Sequence, residues 1–331
     1  MPNILLIETG GTIASTADGG IIGLGGSALP LPHDAAVTFE RITPYQILSE
    51  NLRPTCWEAL IRAVATGLSG NYAGILITHG SDTLAFTSAM IGLYFAETAV
   101  PIVLTAANKP PEEEGSNAAD NLAAAVHLIL TGRQGVFTVY RNAAMECEVF
   151  LATRVRSADL FSDCFSSVSG RFGVMVGETL QIEDRSIRLP SPGQTPPIFP
   201  EAPVFSPDSV AMITPYPGLN YDRFDRNGLR AILHLTYHSS TACCEGEATS
   251  ALCFVERCKQ QGVDFYLAPL KQKPETGHCY TTTDALLKAG AIPLYGISPE
   301  AAYAKLLLAY HLPNKDPKKW MQQPRYFEQA E

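Results

Sequence analysis

Through its first 140 or so residues the chain alternates short β-branched or Leu-rich runs with segments of helical periodicity. That alternation restricts it to a parallel sheet with helices packed on its faces. The strand-like runs are Ile4 to Ile7, Gly74 to Thr78, Pro101 to Thr105 and Gly135 to Tyr140. The helical segments are Trp57 to Leu68, Asp82 to about Ala96, and about Ala118 to Leu130. A doubly wound core is expected. Between Arg171 and Leu189 the pattern turns strand-like and antiparallel. Pro190, Pro192, Pro196, Pro197, Pro200, Pro203 and Pro207 then crowd a stretch that is neither helix nor central strand. Residues 1–189 are therefore expected to form a larger N-terminal domain, 190–207 a linker and 208–331 a smaller C-terminal α/β domain. In the latter, strands are expected at Val210 to Thr214, Ala231 to Thr236, Val263 to Ala268 and near Ile292 to Tyr295. Helices are expected at Glu247 to Gln261 and Thr283 to Ala289, with another opening at Ser298-Pro299-Glu300, where Ser is a good N-cap and Pro suits the first helical position.

Composition narrows the classes of function. Charged residues make up 17% of the 331 and apolar residues 46%; the typical charged share is about 25%, so disorder and coiled coil are excluded for the chain as a whole. With 24 basic against 33 acidic residues the formal charge is −9, which disfavours nucleic acid and anionic membrane surfaces as partners. No apolar run approaches the roughly 18 residues of a membrane span. Eight cysteines are too few and too irregular for a disulfide framework. The N-terminus reads as a strand, not a signal peptide. The expected location is the cytoplasm. Cys243, Cys244, Cys253 and Cys258 match no common zinc spacing, so no metal is expected.

Two segments carry chemistry. Thr9-Gly10-Gly11-Thr12-Ile13-Ala14 follows the first strand, at the carboxyl edge where open α/β sheets build ligand sites. Its glycines let the chain turn sharply and let backbone N–H groups approach a ligand, presenting the Thr12 hydroxyl. Its spacing is not that of a dinucleotide fingerprint. Thr78-His79-Gly80-Ser81-Asp82-Thr83 repeats the placement after a later strand. Ser81 or Asp82 would serve there as a helix cap. Two hydroxyls and a carboxylate at neighbouring strand ends also supply the elements of nucleophilic attack and oxyanion stabilisation.

These paired segments resemble the signatures of the bacterial-type L-asparaginases. The resemblance continues through Thr105-Ala106-Ala107-Asn108-Lys109-Pro110, Asp120-Asn121-Leu122, Tyr216-Pro217-Gly218, Ala285-Leu286-Leu287-Lys288-Ala289-Gly290 and Glu300-Ala301, and so covers nearly the whole chain. It implies a two-domain asparaginase-like α/β fold and an enzyme without metal or organic cofactor. The implied reaction releases ammonia from asparagine, or a related small ω-amide, through an acyl-enzyme on Thr12. Ser81 stands where the family has its second catalytic threonine and Asp82 where a carboxylate holds the substrate amine. Ser49 and Glu50 would grip the α-carboxylate and amine; Gly11, Ala106 and Thr241 are further implied substrate contacts. The implied assembly is a homodimer or homotetramer.

The departures are equally specific. The family's lid tyrosine is missing from Ser15 to Pro30, its place taken by Gly20 or a neighbour. Aligning Asp163-Cys164-Phe165 puts Arg156 at the family's catalytic lysine, with Arg154 the alternative. Arginine stays protonated near neutral pH and stabilises an anion without acting as a base. Asn117 and Ala118 replace an Asp-Gly pair, and Tyr237 to Ala242 replaces a Gly-rich turn that reaches a neighbouring subunit's site. A homologue that binds without efficient chemistry is the competing expectation. An amidotransferase subunit acting in tRNA charging is a third, weaker for want of an additional N-terminal domain.

Overall fold

The computed structural model describes residues 1–331 apart from 26–27, 33–35, 188–201, 272–277, 314 and 331. Most of the proline-rich stretch expected as a linker thus lies outside the described residues. The chain divides into two units, Met1–Val204 and Phe205–Glu331.

In the first unit, β1 (Asn3–Glu8) is followed by a hairpin of β2 (Ser15–Asp18) and β3 (Ile21–Leu24), then β4 (Thr38–Ile42), α1 (Pro54–Leu68), β5 (Gly74–Thr78), α2 (Leu84–Tyr94), β6 (Pro101–Thr105), α3 (Ala118–Leu130) and β7 (Gly135–Arg141). Next come β8 (Cys147–Leu151), the short pair β9 (Val155–Arg156) and β10 (Ser166–Ser167), and the hairpin β11 (Gly173–Val176) and β12 (Thr179–Ile182). One eight-stranded sheet runs in the order β12-β11-β8-β7-β6-β5-β1-β4. Pairings from β4 to β7 are parallel, while β8, β11 and β12 join antiparallel. The residues of β5 and β6 are buried throughout, as expected of parallel strands covered on both faces. Helix α2 is buried almost all round, which its uniformly apolar sequence requires.

The alternation places the central parallel strands correctly, with differences that have local causes. The segment after Thr12, expected as a glycine-rich loop, forms the β2–β3 hairpin. Gly19 and Gly20 supply its turn with φ of +56° and +81°, the signs a tight two-residue hairpin turn requires. Strand β4 was not expected, since Thr38-Phe39-Glu40-Arg41-Ile42 is half polar; it forms the sheet edge beside β1. The helix expected from Asp82 begins at Leu84, because Ser81–Thr83 makes a single 3-10 turn.

The second unit is a four-stranded parallel sheet in the order β13 (Val210–Ile213), β14 (Ala231–Leu235), β15 (Asp264–Leu270) and β16 (Ile292–Tyr295). Helix α4 (Ala251–Gln260) starts later than expected, where the Ser250 side chain accepts from the Cys253 amide. Helices α5 (Thr281–Ala289), α6 (Pro299–His311) and α7 (Pro317–Gln322) complete it. Ser298 caps α6 as expected, accepting from the Ala301 amide at 3.1 Å.

Two buried polar devices stabilise this unit. The Lys305 ammonium, on α6, donates to the carbonyls of Met321 and Gln323 and to Glu328 Oε1 at 3.0, 2.7 and 2.7 Å, and both charged side chains are fully buried. Glu328 also accepts from the Arg325 and Tyr326 amides. Breaking such a pair leaves a buried charge uncompensated, at a cost of about 3–5 kcal/mol. Glu328→Ala is expected to lower unfolding free energy in urea by that amount, and an unchanged midpoint would contradict the reading.

His234, on β14, has its Nε2 2.7 Å from the Tyr221 hydroxyl, within hydrogen-bond distance. Burial lowers its pKa to about 4, outweighing the backbone contact with Leu235 that raises it. The folded pKa lies below the unfolded value, so stability is complete above about pH 6.5 and falls as pH drops toward 4. At pH 4.5 the loss from this one group is about 2.5 kcal/mol. The fall measured by urea unfolding between pH 7 and 4.5 is expected to be smaller by that amount in His234→Gln.

Candidate active site

The carboxyl end of β1 runs into a turn of two glycines with φ of +97° at Gly10 and +78° at Gly11. Both are compelled. A Cβ on Gly10 would lie 2.3 Å from the Ile47 carbonyl oxygen, and one on Gly11 would lie 2.2 Å from Gly80 Cα. The turn is stitched to the segment before Ser49: the Gly11 amide donates to the Ile47 carbonyl at 2.9 Å, and the Ile47 amide to the Thr9 carbonyl at 3.1 Å. The Ser15 hydroxyl donates to the Gly11 carbonyl at 2.8 Å. Thr12 then opens a single 3-10 turn and is partly exposed, while Ile13 and Ala14 are buried behind it.

Because neither Gly11 nor Gly80 carries a side chain, the backbones of the two strand-end turns touch. Thr12 and Ser81 are each the next residue along, and both reach solvent. Ser49 closes the third side. A Cβ on Gly80 would stand 2.4 Å from Ser49 Oγ. That hydroxyl donates to Asp82 Oδ2 at 3.1 Å, and the Thr83 hydroxyl donates to the Ser49 carbonyl at 2.9 Å. Thr12, Ser49, Gly11, Ser81 and Asp82 therefore gather around one polar corner, with Ser49 buried and Asp82 exposed.

Other expected residues stand differently. Glu50 is exposed and lines a groove of about 630 Å³ with Leu24 of the hairpin, Ile47 and Arg53. Ala106 follows β6 and is fully buried; its carbonyl accepts from Asn121 Nδ2 at 2.8 Å. Nearby, Asn108 and Asn117 exchange two bonds of 2.9 and 3.0 Å between their amides and side chains, so Asn117 has a structural use in place of the family's Asp. Thr241 stands in the second unit, where its carbonyl accepts from the Tyr237 amide and closes a turn around Ser240, a non-glycine residue at φ +62°.

The two arginines separate clearly. Arg154 is largely buried and paired with Asp184 at 3.9 Å. Arg156 is exposed on β9 opposite Ser166. The adjacent Phe165 is fixed to Asn142, just past the carboxyl end of β7, by two bonds of 2.9 Å. Arg156 is thus exposed beside a segment anchored past the end of β7, while Arg154 is engaged with Asp184.

Two buried groups next to the corner were not singled out in the sequence. Tyr45 has its hydroxyl enclosed beside Thr9, and burial raises its pKa. His79 is buried behind Gly80 with both ring nitrogens in contact with neighbours. Neither announces itself in sequence, since a histidine before a glycine and a lone tyrosine have no spacing signature. Among the described residues no helix is long and apolar enough to cross a membrane, and no group of three His, Cys, Asp or Glu side chains converges as a metal site.

The chain is 28% identical over 323 residues to the D subunit of glutamyl-tRNA(Gln) amidotransferase from Aeropyrum pernix, covering 92% of this chain and 73% of that protein. To the same amidotransferase component from Thermococcus kodakarensis it is 26% identical, over 92% and 71%. Among solved structures, the thermostable L-asparaginase from Thermococcus kodakarensis superposes with a TM-score of 0.82 at 25% identity, covering 99% of both chains. L-asparaginase I from Vibrio cholerae shares the fold at a TM-score of 0.76 and 21% identity, again over 99% of each. Residues 3–188 match the family described as "Asparaginase, N-terminal", and with the sheet order and the paired strand-end turns this makes the chain a member of the asparaginase family.

Proposed function

We propose that the protein is an amidohydrolase that splits the side-chain amide of asparagine, or of another small ω-amide, through an acyl-enzyme on Thr12. The observation that carries this reading is the backbone contact of Gly11 with Gly80, which sets Thr12 and Ser81 on either side of one corner. In the first step a bond forms between Thr12 Oγ and the amide carbon. The Thr12 proton passes to the departing nitrogen, and the carbon–nitrogen bond breaks to release ammonia. Water then cleaves the ester and restores Thr12. The Gly11 amide is already committed to the Ile47 carbonyl, so oxyanion donors come from elsewhere on the turns, including the Ser81 hydroxyl. Asp82, presented by Ser49, takes the substrate ammonium, and opposite charge at that end supplies orientation. Arg156 supplies positive charge to the site, the part a guanidinium plays beside a developing anion. The exposed β2–β3 hairpin is the element that would close over the corner.

A homodimer or homotetramer in the cytoplasm is the assembly and location we propose alongside this chemistry. A structure from Campylobacter jejuni described as a "Probable Cytoplasmic L-asparaginase" is consistent with that location; it shares the fold at a TM-score of 0.72 and 21% identity. A second reading, a component that draws ammonia from an amide for use on charged tRNA, is favoured by the similarity to the two amidotransferase subunits.

Ammonia release measured with asparagine, glutamine and related amides separates these readings. Turnover on the free amide, lowered at least about 100-fold by Thr12→Ala, supports the hydrolase. Release that needs glutamyl-tRNA supports the second reading. Calorimetric binding of aspartate without release would overturn both in favour of a binding protein. Asp82→Asn is expected to raise KM by about tenfold or more with a smaller effect on kcat, as loss of a charge-assisted contact to the substrate amine requires.

A further inference from the structure

His79 makes three connections that together leave it no freedom. Its amide donates to the Thr105 carbonyl at 2.9 Å, locking the end of β5 to the end of β6. Its Nδ1 lies 2.9 Å from the Gly80 carbonyl oxygen, and its Nε2 lies 3.0 Å from the Thr87 hydroxyl on α2. The same hydroxyl accepts from Trp57 Nε1 of α1 at 2.9 Å. A carbonyl oxygen only accepts, so Nδ1 must carry the proton. In the neutral ring Nε2 is then the acceptor, and the Thr87 hydroxyl must donate to it. Trp57 occupies the oxygen's accepting side, which directs the single Thr87 proton toward His79. The order of donors is fixed from end to end: Trp57 to Thr87, Thr87 to His79, His79 to the Gly80 carbonyl.

We propose that Trp57, Thr87 and His79 form a positioning relay that selects the Nδ1–H tautomer of His79 and thereby holds the Gly80 peptide, so that Ser81 and Asp82 face Thr12 and Ser49. Gly80 is where the relay meets the candidate site. Its Cα and amide nitrogen lie against Gly11, its missing Cβ makes room for Ser49, and its carbonyl is the group that His79 holds. Rotation of that peptide would move Ser81 and Asp82 together. His79, Thr87 and Trp57 are all buried, so none of them touches substrate. Burial also keeps His79 neutral, lowering its pKa to about 4 despite the nearby Asp82, which favours the charged form. The chain's chemistry thus rests on an uncharged imidazole acting as a directional spacer. Three buried polar groups at this spacing serve no packing purpose that apolar residues would not serve at least as well. The proposal deepens the amidohydrolase reading and rests on it for its kinetic test, but not for its spectroscopic one.

Histidine-selective ¹⁵N labelling of the full chain, with His79 assigned by its loss in His79→Asn, reads the tautomer directly. Nδ1–H at neutral pH is expected; Nε2–H, or a charged ring, overturns the relay whatever the turnover. The kinetic arm compares Thr87→Ser, which keeps the hydroxyl, with the isosteric Thr87→Val, which leaves Trp57 Nε1 and His79 Nε2 unpartnered. Thr87→Val is expected to lower kcat by about tenfold or more per folded molecule with KM changed less than about threefold, and Thr87→Ser to stay within about threefold of wild type. The His79 ring of Thr87→Val is also expected to show mixed tautomers. A purely structural role predicts lost stability with kcat and tautomer unmoved, and that result overturns the proposal. If wild-type protein releases no ammonia while His79 carries Nδ1–H, the amidohydrolase reading fails and the relay is judged on tautomer selection alone, which Thr87→Val must then disturb.

Discussion

The site depends on the absence of two side chains. A β-carbon on Gly11 would fall within the backbone of Gly80, and one on Gly80 would fall within Ser49. Steric exclusion at these positions is therefore the constraint that lets the turns after β1 and β5 meet. The two strands are hydrogen-bonded neighbours in the sheet, which brings their ends within a strand spacing of each other. Two residues without side chains remove the last obstacle. The positive φ of Gly11 adds a second reason for glycine there, since an L side chain is disfavoured in that region. Thr12 and Ser81 follow directly on the two glycines whose backbones are in contact.

Around that contact the chain invests in buried polar bonds more than in charge. Ser49, Thr83, Thr87, His79, Asn108, Asn117 and Asn121 fix one another or nearby carbonyls, and most of them lie behind the accessible corner. Such networks hold geometry when every member is satisfied. The full charges stand at the surface: Asp82 and Arg156 are both exposed. The polar interior behind the turns is thus neutral.

Much of this was legible in the sequence, for identifiable reasons. The runs at Ile4 to Ile7, Gly74 to Thr78 and Pro101 to Thr105 are apolar on both faces, and only a covered parallel strand accommodates that. The two glycine-containing turns are visible because glycine and hydroxyl residues cluster at strand ends. What stayed hidden has no periodic signature. Strand β4 is half polar, and only its pairing with β1 makes it a strand. The β2–β3 hairpin looks like a loop until Gly19 and Gly20 are seen to turn it. The choice between Arg154 and Arg156 depends on Asp184, about thirty residues downstream, and no local pattern connects them. The His79 relay joins residues from three elements through single hydrogen bonds, and sequence carries no trace of such long-range polar pairing.

The central claim is that the Thr12 oxygen takes the acyl group. Rapid acid quench of the full-length protein during turnover of asparagine, followed by intact mass measurement and peptide mapping, tests it most directly. An added aspartyl group on the peptide containing Thr12 is the predicted result. An adduct on Ser81, or steady ammonia release with no acylated peptide at any time, would contradict it.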